Sequence, residues 1–265
     1  MAPGAPACVR RRLEGFRQQG AILMAAVTTP ERPRVGFDLH SESAVIELPQ
    51  PQGDSPELLA AWFDEIYRTA DGDPGRVPWA RHGPSPCLVA WLNAVAPSFV
   101  RPGGRVCVVG CGLGHDAVEL INRGYDVSAF DISPTAIEWA RRLHPDHADR
   151  FFVADACDPP PRLRCRADLV VEINTLQSVP PKQRVSMAQC MANLLGPHGS
   201  LLVICLGRDA DEPAPDADTP PHPISPPELT SLMQQAGLQL SGNLDEFDDD
   251  ETPPKRRLRV AFRRV

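Results

Sequence analysis

Residues 105–116 read Arg105-Val106-Cys107-Val108-Val109-Gly110-Cys111-Gly112-Leu113-Gly114-His115-Asp116, an apolar run that breaks into glycines at every second position and then turns polar. The run has the composition of a strand buried on both faces. His115 to Arg123, closed by Gly124, has that of a helix. A glycine-rich turn between two such elements brings backbone N–H groups to a ligand, because glycine tolerates positive φ and lets the chain approach closely. The spacing is Gly-x-Gly-x-Gly. A dinucleotide fingerprint puts its last glycine one residue later, where His115 stands, so NAD(P) is disfavoured.

The strand-helix alternation continues on both sides. Asp126–Phe130 is the second strand, and Ser133-Pro134 opens a helix carrying Ile137, Trp139 and Ala140. Phe151–Ala154 and Asp168–Val171 are the third and fourth strands, Pro181–Leu195 a helix closed by Gly196, and Ser200–Cys205 the fifth strand. After a Pro- and Asp-rich loop over residues 207–223, Ser225-Pro226-Pro227-Glu228 caps a helix ending at Gly237. Leu238–Phe247 and Leu258–Val265 then face each other across an acidic turn. Upstream, Ser55-Pro56-Glu57 starts a helix running to Arg68, and a second lies near Cys87–Ala96. The pattern predicts an α/β doubly wound, seven-stranded, mostly parallel sheet with an antiparallel C-terminal strand pair. Residues 1–53 read as a poorly ordered leader, with an extended piece near Ala44–Leu48 and Met24 as a second candidate start. Residues 54–265 form the domain, divided into N-terminal helices (54–100) and sheet core (101–265).

The bulk properties narrow the function. Of 265 residues, 27 are Lys or Arg and 34 Asp or Glu, a net charge of -7, which gives no electrostatic footprint for nucleic acid. No apolar run reaches the roughly 18 residues of a membrane span. Arg10, Arg11, Arg12 and Arg17 precede a short apolar stretch, but no convincing cleavage site follows, so no signal peptide is expected. The 8 cysteines include no CxxC pair and no zinc spacing, and Cys107 and Cys205 sit inside apolar strands. A reduced, cytoplasmic setting and no metal site are therefore expected.

In a doubly wound sheet, ligands bind beyond the carboxyl ends of the strands where strand order reverses. Asp131 ends the second strand, where one carboxylate can hold both hydroxyls of a ribose; Ser133 competes for the alternative role of helix cap. Ile132 would lie on an adenine face. Asp155 could accept from an adenine amino group while the Ala156 backbone meets the ring. Glu172 and Ile173 end the fourth strand. His115 and Asp116 open the first helix, either as ordinary first-turn residues or as ligand contacts.

The run Val109 to Asp116, with Phe130-Asp131-Ile132-Ser133 and Ala136-Ile137-Glu138-Trp139-Ala140, resembles class I S-adenosylmethionine-dependent methyltransferases of the thiopurine, thiol and halide methyltransferase branch. Val77-Pro78-Trp79, followed by Gly83-Pro84-Ser85-Pro86 and Leu88, is similar to that branch's N-terminal lid. The resemblance covers residues 55–265 and implies S-adenosylmethionine as cofactor, S-adenosylhomocysteine as product and a small-molecule acceptor. The cofactor would be held by Trp79, Gly110, Cys111, Gly112, Gly114, Asp116, Asp131, Ile132, Asp155, Ala156, Glu172 and Ile173, with Glu172 as a carboxylate beside the sulfonium cation. Trp62 and Tyr67 lie on the lid segment, and Tyr67, Asn174 and Arg208 are acceptor candidates; Gln177 and His222 share their loops. Arg208 could hold an anionic acceptor. The chain departs from the branch where Ile173, Thr175 and Leu176 replace aromatic residues, so halide methylation is not expected. No catalytic base stands out. A nucleotide-dependent oxidoreductase and a silent cofactor-binding protein are the competing readings.

Overall fold

The computed structural model describes residue 53 and residues 55–164, 166–213 and 219–264. The expected leader, its extended piece near Ala44–Leu48 and the alternative start at Met24 lie outside the described residues.

Among the described residues, six α-helices and seven strands follow in this order: α1 (Pro56–Ala70), α2 (Pro86–Ala94), β1 (Arg105–Val109), α3 (His115–Asn122), β2 (Asp126–Asp131), α4 (Pro134–Leu143), β3 (Phe151–Val153), β4 (Ala167–Ile173), α5 (Arg184–Ala192), β5 (Leu195–Leu206), α6 (Pro226–Gln235), β6 (Leu238–Asp248) and β7 (Arg256–Arg264). The caps follow the sequence. Ser55, Ser133 and Ser225 each accept a backbone N–H at the start of α1, α4 and α6, and each is followed by a proline that needs no hydrogen-bond partner.

The strands form one sheet in the order β3-β2-β1-β4-β5-β7-β6. The first five are parallel, and β7 runs antiparallel to both β5 and β6. Side-chain alternation splits the apolar core in two. Val106, Val108, Leu169, Val171, Leu202 and Ile204 pack on the face covered by α2, α3 and α4. Cys107, Val109, Val170, Leu201 and Val203 pack on the opposite face, against α5 and α6. The order reverses between β1 and β4, which sets the carboxyl ends of β1, β2 and β4 side by side.

Two expectations need correction. The helix over Pro181–Leu195 is shorter: Pro181–Gln183 is a 3₁₀ turn and α5 ends at Ala192. The carbonyl of Leu194 is already taken by the N–H groups of Arg166 and Ala167 at the start of β4, so the chain has joined the sheet before the helix can continue. The cysteines are also not all reduced. Cys157, after β3, is joined by a disulfide to Cys190 on α5, while Cys87, Cys107, Cys111 and Cys205 are free thiols. A spacing of 33 residues carries no local motif, so only the fold reveals the pair.

Candidate functional site

The turn after β1 requires its glycines. Gly110, Gly112 and Gly114 have φ of 63°, 50° and 83°. A Cβ on Gly110 would lie 2.3 Å from the Thr175 hydroxyl, and one on Gly114 would lie 2.6 Å from the Phe151 ring. Asp131 stands at the tip of the neighbouring strand, 8% exposed. One carboxylate oxygen accepts from Gly112 N at 2.9 Å and the other from Ser133 N at 3.0 Å. Burial raises its pKa and these N–H groups pull it back down. Each oxygen keeps a further lone pair for a hydroxyl. Ser133 caps α4, as the sequence suggests, and its hydroxyl donates to Asp64 on α1 at 2.7 Å. Asp64 also accepts from Thr135 N, fastening α1 over this corner.

The lid segment lies beside the turn. The Trp79 indole N–H donates to the Tyr67 hydroxyl at 2.8 Å, and Tyr67 is buried against Trp79 and Trp139. A Cβ on Gly112 would meet that hydroxyl at 3.0 Å. Tyr67, an acceptor candidate by sequence, therefore stands at the glycine turn. Burial pushes its phenol well above its ordinary pKa. Cys111 lies within the turn, its thiol pushed far up by burial.

Asp116 serves the lid. Its carboxylate accepts from Ser85 N at 2.7 Å, and burial raises its pKa to about 6. His115 packs against His144 with ring centroids 5.1 Å apart. Asp155 accepts from Cys157 N at 2.8 Å in a local turn, and Ala156 is buried in the core. Ile132 and Ile173 are half-buried at the tips of β2 and β4. Phe130 to Ile132, Asp155-Ala156 and the glycine turn are brought together, since β2 lies between β1 and β3.

Glu172 is fully buried. Its Oε2 accepts from Thr175 N and Leu176 N at 2.9 and 3.0 Å, while Oε1 has no partner. Thr175 in turn donates its hydroxyl to Val109 O at 3.1 Å, clamping the end of β1. Burial lifts the Glu172 pKa to about 8, against which the two N–H groups pull. Burial thus favours the protonated form of the carboxyl group expected beside the cation. Folding therefore takes up a proton at this site between the ordinary carboxyl range and about pH 8, so its contribution to stability falls as pH rises through that window and is lost above it. Glu172→Gln keeps the acceptor and cannot ionise. Its melting temperature relative to wild type is expected to rise from pH 5 to pH 9; a constant difference would refute a protonated Glu172.

Arg208 is committed elsewhere. Its guanidinium donates to Glu228 at 2.9 Å, to Asp209 O and to Glu212 O. Glu228 is shared with the fully buried Arg184, which also holds His222 O. The half-buried Glu228 carboxylate thus takes one arginine on each oxygen, which ties the Arg208 guanidinium to α6. The Gln177 side chain accepts from Leu206 N and its backbone carbonyl from His222 N, so Gln177 and the backbone of His222 brace these loops. Asn174, with φ of 65°, accepts from Arg257 at 3.0 Å. Arg257 also binds Asp249 and Glu251, and Glu251 binds Arg81 of the lid at 2.6 Å. Sequence reasoning missed Asp64, Thr175, Arg81, Glu251 and Arg257. Each has a partner far along the chain, Ser133 for Asp64, Val109 for Thr175, Arg81 and Glu251 for one another and Asn174 for Arg257, and only the basic run Lys255-Arg256-Arg257 offered a signal.

Residues 106–199 match a family model described as a methyltransferase domain. The chain is 25% identical to a 2-heptyl-1-hydroxyquinolin-4(1H)-one methyltransferase of Mycobacteroides abscessus, over 75% of this chain and 82% of that protein. It is 25% identical to a probable thiol methyltransferase 2 of Arabidopsis thaliana, over 64% and 73% respectively. Among solved structures, Burkholderia thailandensis 1,6-didemethyltoxoflavin-N1-methyltransferase with bound S-adenosylhomocysteine superposes with a TM-score of 0.63 at 20% identity, over 80% of this chain and 91% of that one. That likeness concerns the fold. No helix among the described residues is long and apolar enough to cross a membrane.

Proposed function

The chain is a class I S-adenosylmethionine-dependent methyltransferase, and from that premise we propose that it methylates a small molecule whose nucleophile ionises without help, such as a thiol or an acidic hydroxyl. The observation that carries this reading is the state of the polar groups around the turn. Burial pushes the Glu172 carboxyl up to about 8 and the Tyr67 phenol well above its usual range, and Asp116 is tied to Ser85. None of the three is a free base at neutral pH, whereas an alcohol or amine acceptor would benefit from one. A thiolate or acidic oxyanion needs only positioning and exclusion of water.

The cofactor-holding residues fit the donor. The turn Gly110-Cys111-Gly112-Leu113-Gly114 offers backbone N–H groups, Asp131 has lone pairs for the ribose hydroxyls, Ile132 would supply apolar surface, and Asp155 with the Ala156 backbone would meet the adenine. The bound donor supplies a sulfonium methyl group for in-line displacement. Thr175, held by Glu172, fixes the turn, and Trp79 with Tyr67 covers it. The relatives named for a hydroxyquinolone and a thiol are in keeping with this acceptor class. In this reading residues 54–265 are the catalytic domain, residues 1–53 a leader outside it, and the protein works in the cytoplasm on metabolites and not on nucleic acid.

Isothermal titration with S-adenosylhomocysteine and NADH, followed by an acceptor panel read out as S-adenosylhomocysteine release, tests the proposal. Binding of S-adenosylhomocysteine alone, and turnover confined to thiols, phenols and N-hydroxy compounds of low pKa, is expected. Preference for NADH, or turnover of simple alcohols and amines, would overturn it.

A further inference from the structure

The disulfide joins two unlike parts of the molecule. Cys190 lies on α5, a rigid scaffold whose Arg184 is fully buried and fixed to Glu228 and His222 O, and whose Ala188, Met191 and Ala192 are in the core. Cys157 lies in the segment after β3, immediately beyond Asp155 and Ala156. β3 has three residues, sits at the sheet edge and pairs with β2 alone. Beyond Ala154 N, which donates to Asp131 O, the segment is held mainly from within: turn bonds, a 3₁₀ turn at Pro161–Leu163, the Arg164 guanidinium on Pro159 O and Asp158, Arg162 over the Phe152 ring, and the buried Ala156, Pro159 and Leu163. The bridge is accessible: Cys157 is exposed and Cys190 half-buried. The free thiols at Cys87, Cys107 and Cys205 are buried. Access selects the bridge for thiol chemistry.

We propose that Cys157 and Cys190 are a reversible thiol–disulfide modification site that sets cofactor affinity by stapling the Asp155–Ala156 segment to α5. This rests on reading Asp155 and Ala156 as adenine contacts. Among the described residues, four buried or half-buried thiols beside one exposed bridge do not form the framework of a secreted scaffold, and exposed disulfides are the labile, regulatory ones. The co-reactant is a small cellular thiol. Its thiolate attacks one cysteine sulfur, the S–S bond breaks, and the other cysteine leaves as a thiolate that takes a proton. A second thiol then attacks the mixed disulfide and frees the first cysteine. Two electrons pass from two small thiols to the bridge, giving two cysteine thiols and one small-molecule disulfide. The released segment must then be ordered at the moment of binding, which weakens affinity without changing a contact.

The test compares the full chain as oxidised protein, as protein treated with glutathione or dithiothreitol, and as Cys157→Ser/Cys190→Ser. Each is titrated with S-adenosylhomocysteine, its thiols are counted, and hydrogen exchange is followed without ligand. Reduction is expected to release two thiols, speed exchange in residues 154–164 but not 200–206, and weaken binding about tenfold. The double variant should bind like reduced protein and ignore reductant. Equal affinity in both redox states, or two fully reduced cysteines in protein purified without reductant, would overturn the proposal. If neither state binds S-adenosylhomocysteine, the cofactor reading fails, and unaltered exchange in residues 154–164 of ligand-free chain would separately sink the staple. Should the double variant not fold, Cys190→Ser alone and the reduced wild-type chain decide the same question.

Discussion

Asp131→Ala is expected to bind S-adenosylhomocysteine about a hundredfold more weakly than wild type in isothermal titration. A hydrogen bond to an ionised group contributes about 1.5–3 kcal/mol, so losing the bonds to a ribose diol costs about 3 kcal/mol, a factor of about 10². The substitution also strands Gly112 N and Ser133 N, which the carboxylate holds in place. Asp131→Asn keeps one acceptor oxygen and should fall between wild type and alanine. An alanine variant with wild-type affinity would leave the ribose assignment without support.

Gly114→Ala tests the packing of the same turn through stability. The left-handed backbone costs about 1 kcal/mol for a residue with a Cβ. The new methyl would also lie 2.6 and 2.7 Å from two atoms of the Phe151 ring and 3.3 Å from Ala140 Cβ. Phe151 is fully buried, so the ring cannot swing into solvent, and overpacking adds about 2 kcal/mol. The expected loss is about 3 kcal/mol in urea denaturation. Gly124 is the control, with φ of 86° and nothing within 4 Å of an added Cβ. Gly124→Ala should lose only the backbone part, about 1 kcal/mol. Equal losses at both positions would mean the ring does not resist.

What could be read from the sequence is what neighbouring residues decide. Val106 to Val109, the three glycines and the serine-proline caps state their roles within a few positions, and the structure follows them closely. Asp131 was legible because a strand tip one unit after a glycine turn has a fixed place in a doubly wound sheet. The surroundings of Asp116, Arg208 and Glu172 were not legible, because the fold supplies them. Asp116 meets Ser85 N across 31 positions, and Arg208 is claimed by Glu228 across 20. The charge of Glu172 depends on complete burial, which no local pattern reports. Cys157 and Cys190 likewise have no motif to announce their bond.

The place of β7 in the sheet has a consequence for synthesis on the ribosome. β7 lies between β5 and β6 yet follows both in the chain, so β5 emerges with one edge bare. The roughly 50 residues that separate them take several seconds at about 10 residues per second. During that interval the nascent chain presents an unpaired edge containing Leu201, Leu202, Val203 and Ile204, a template that another half-made chain could join. Chaperone protection should matter most in that window, and slowing translation after β5 should lower the yield of folded protein more than slowing it after β2.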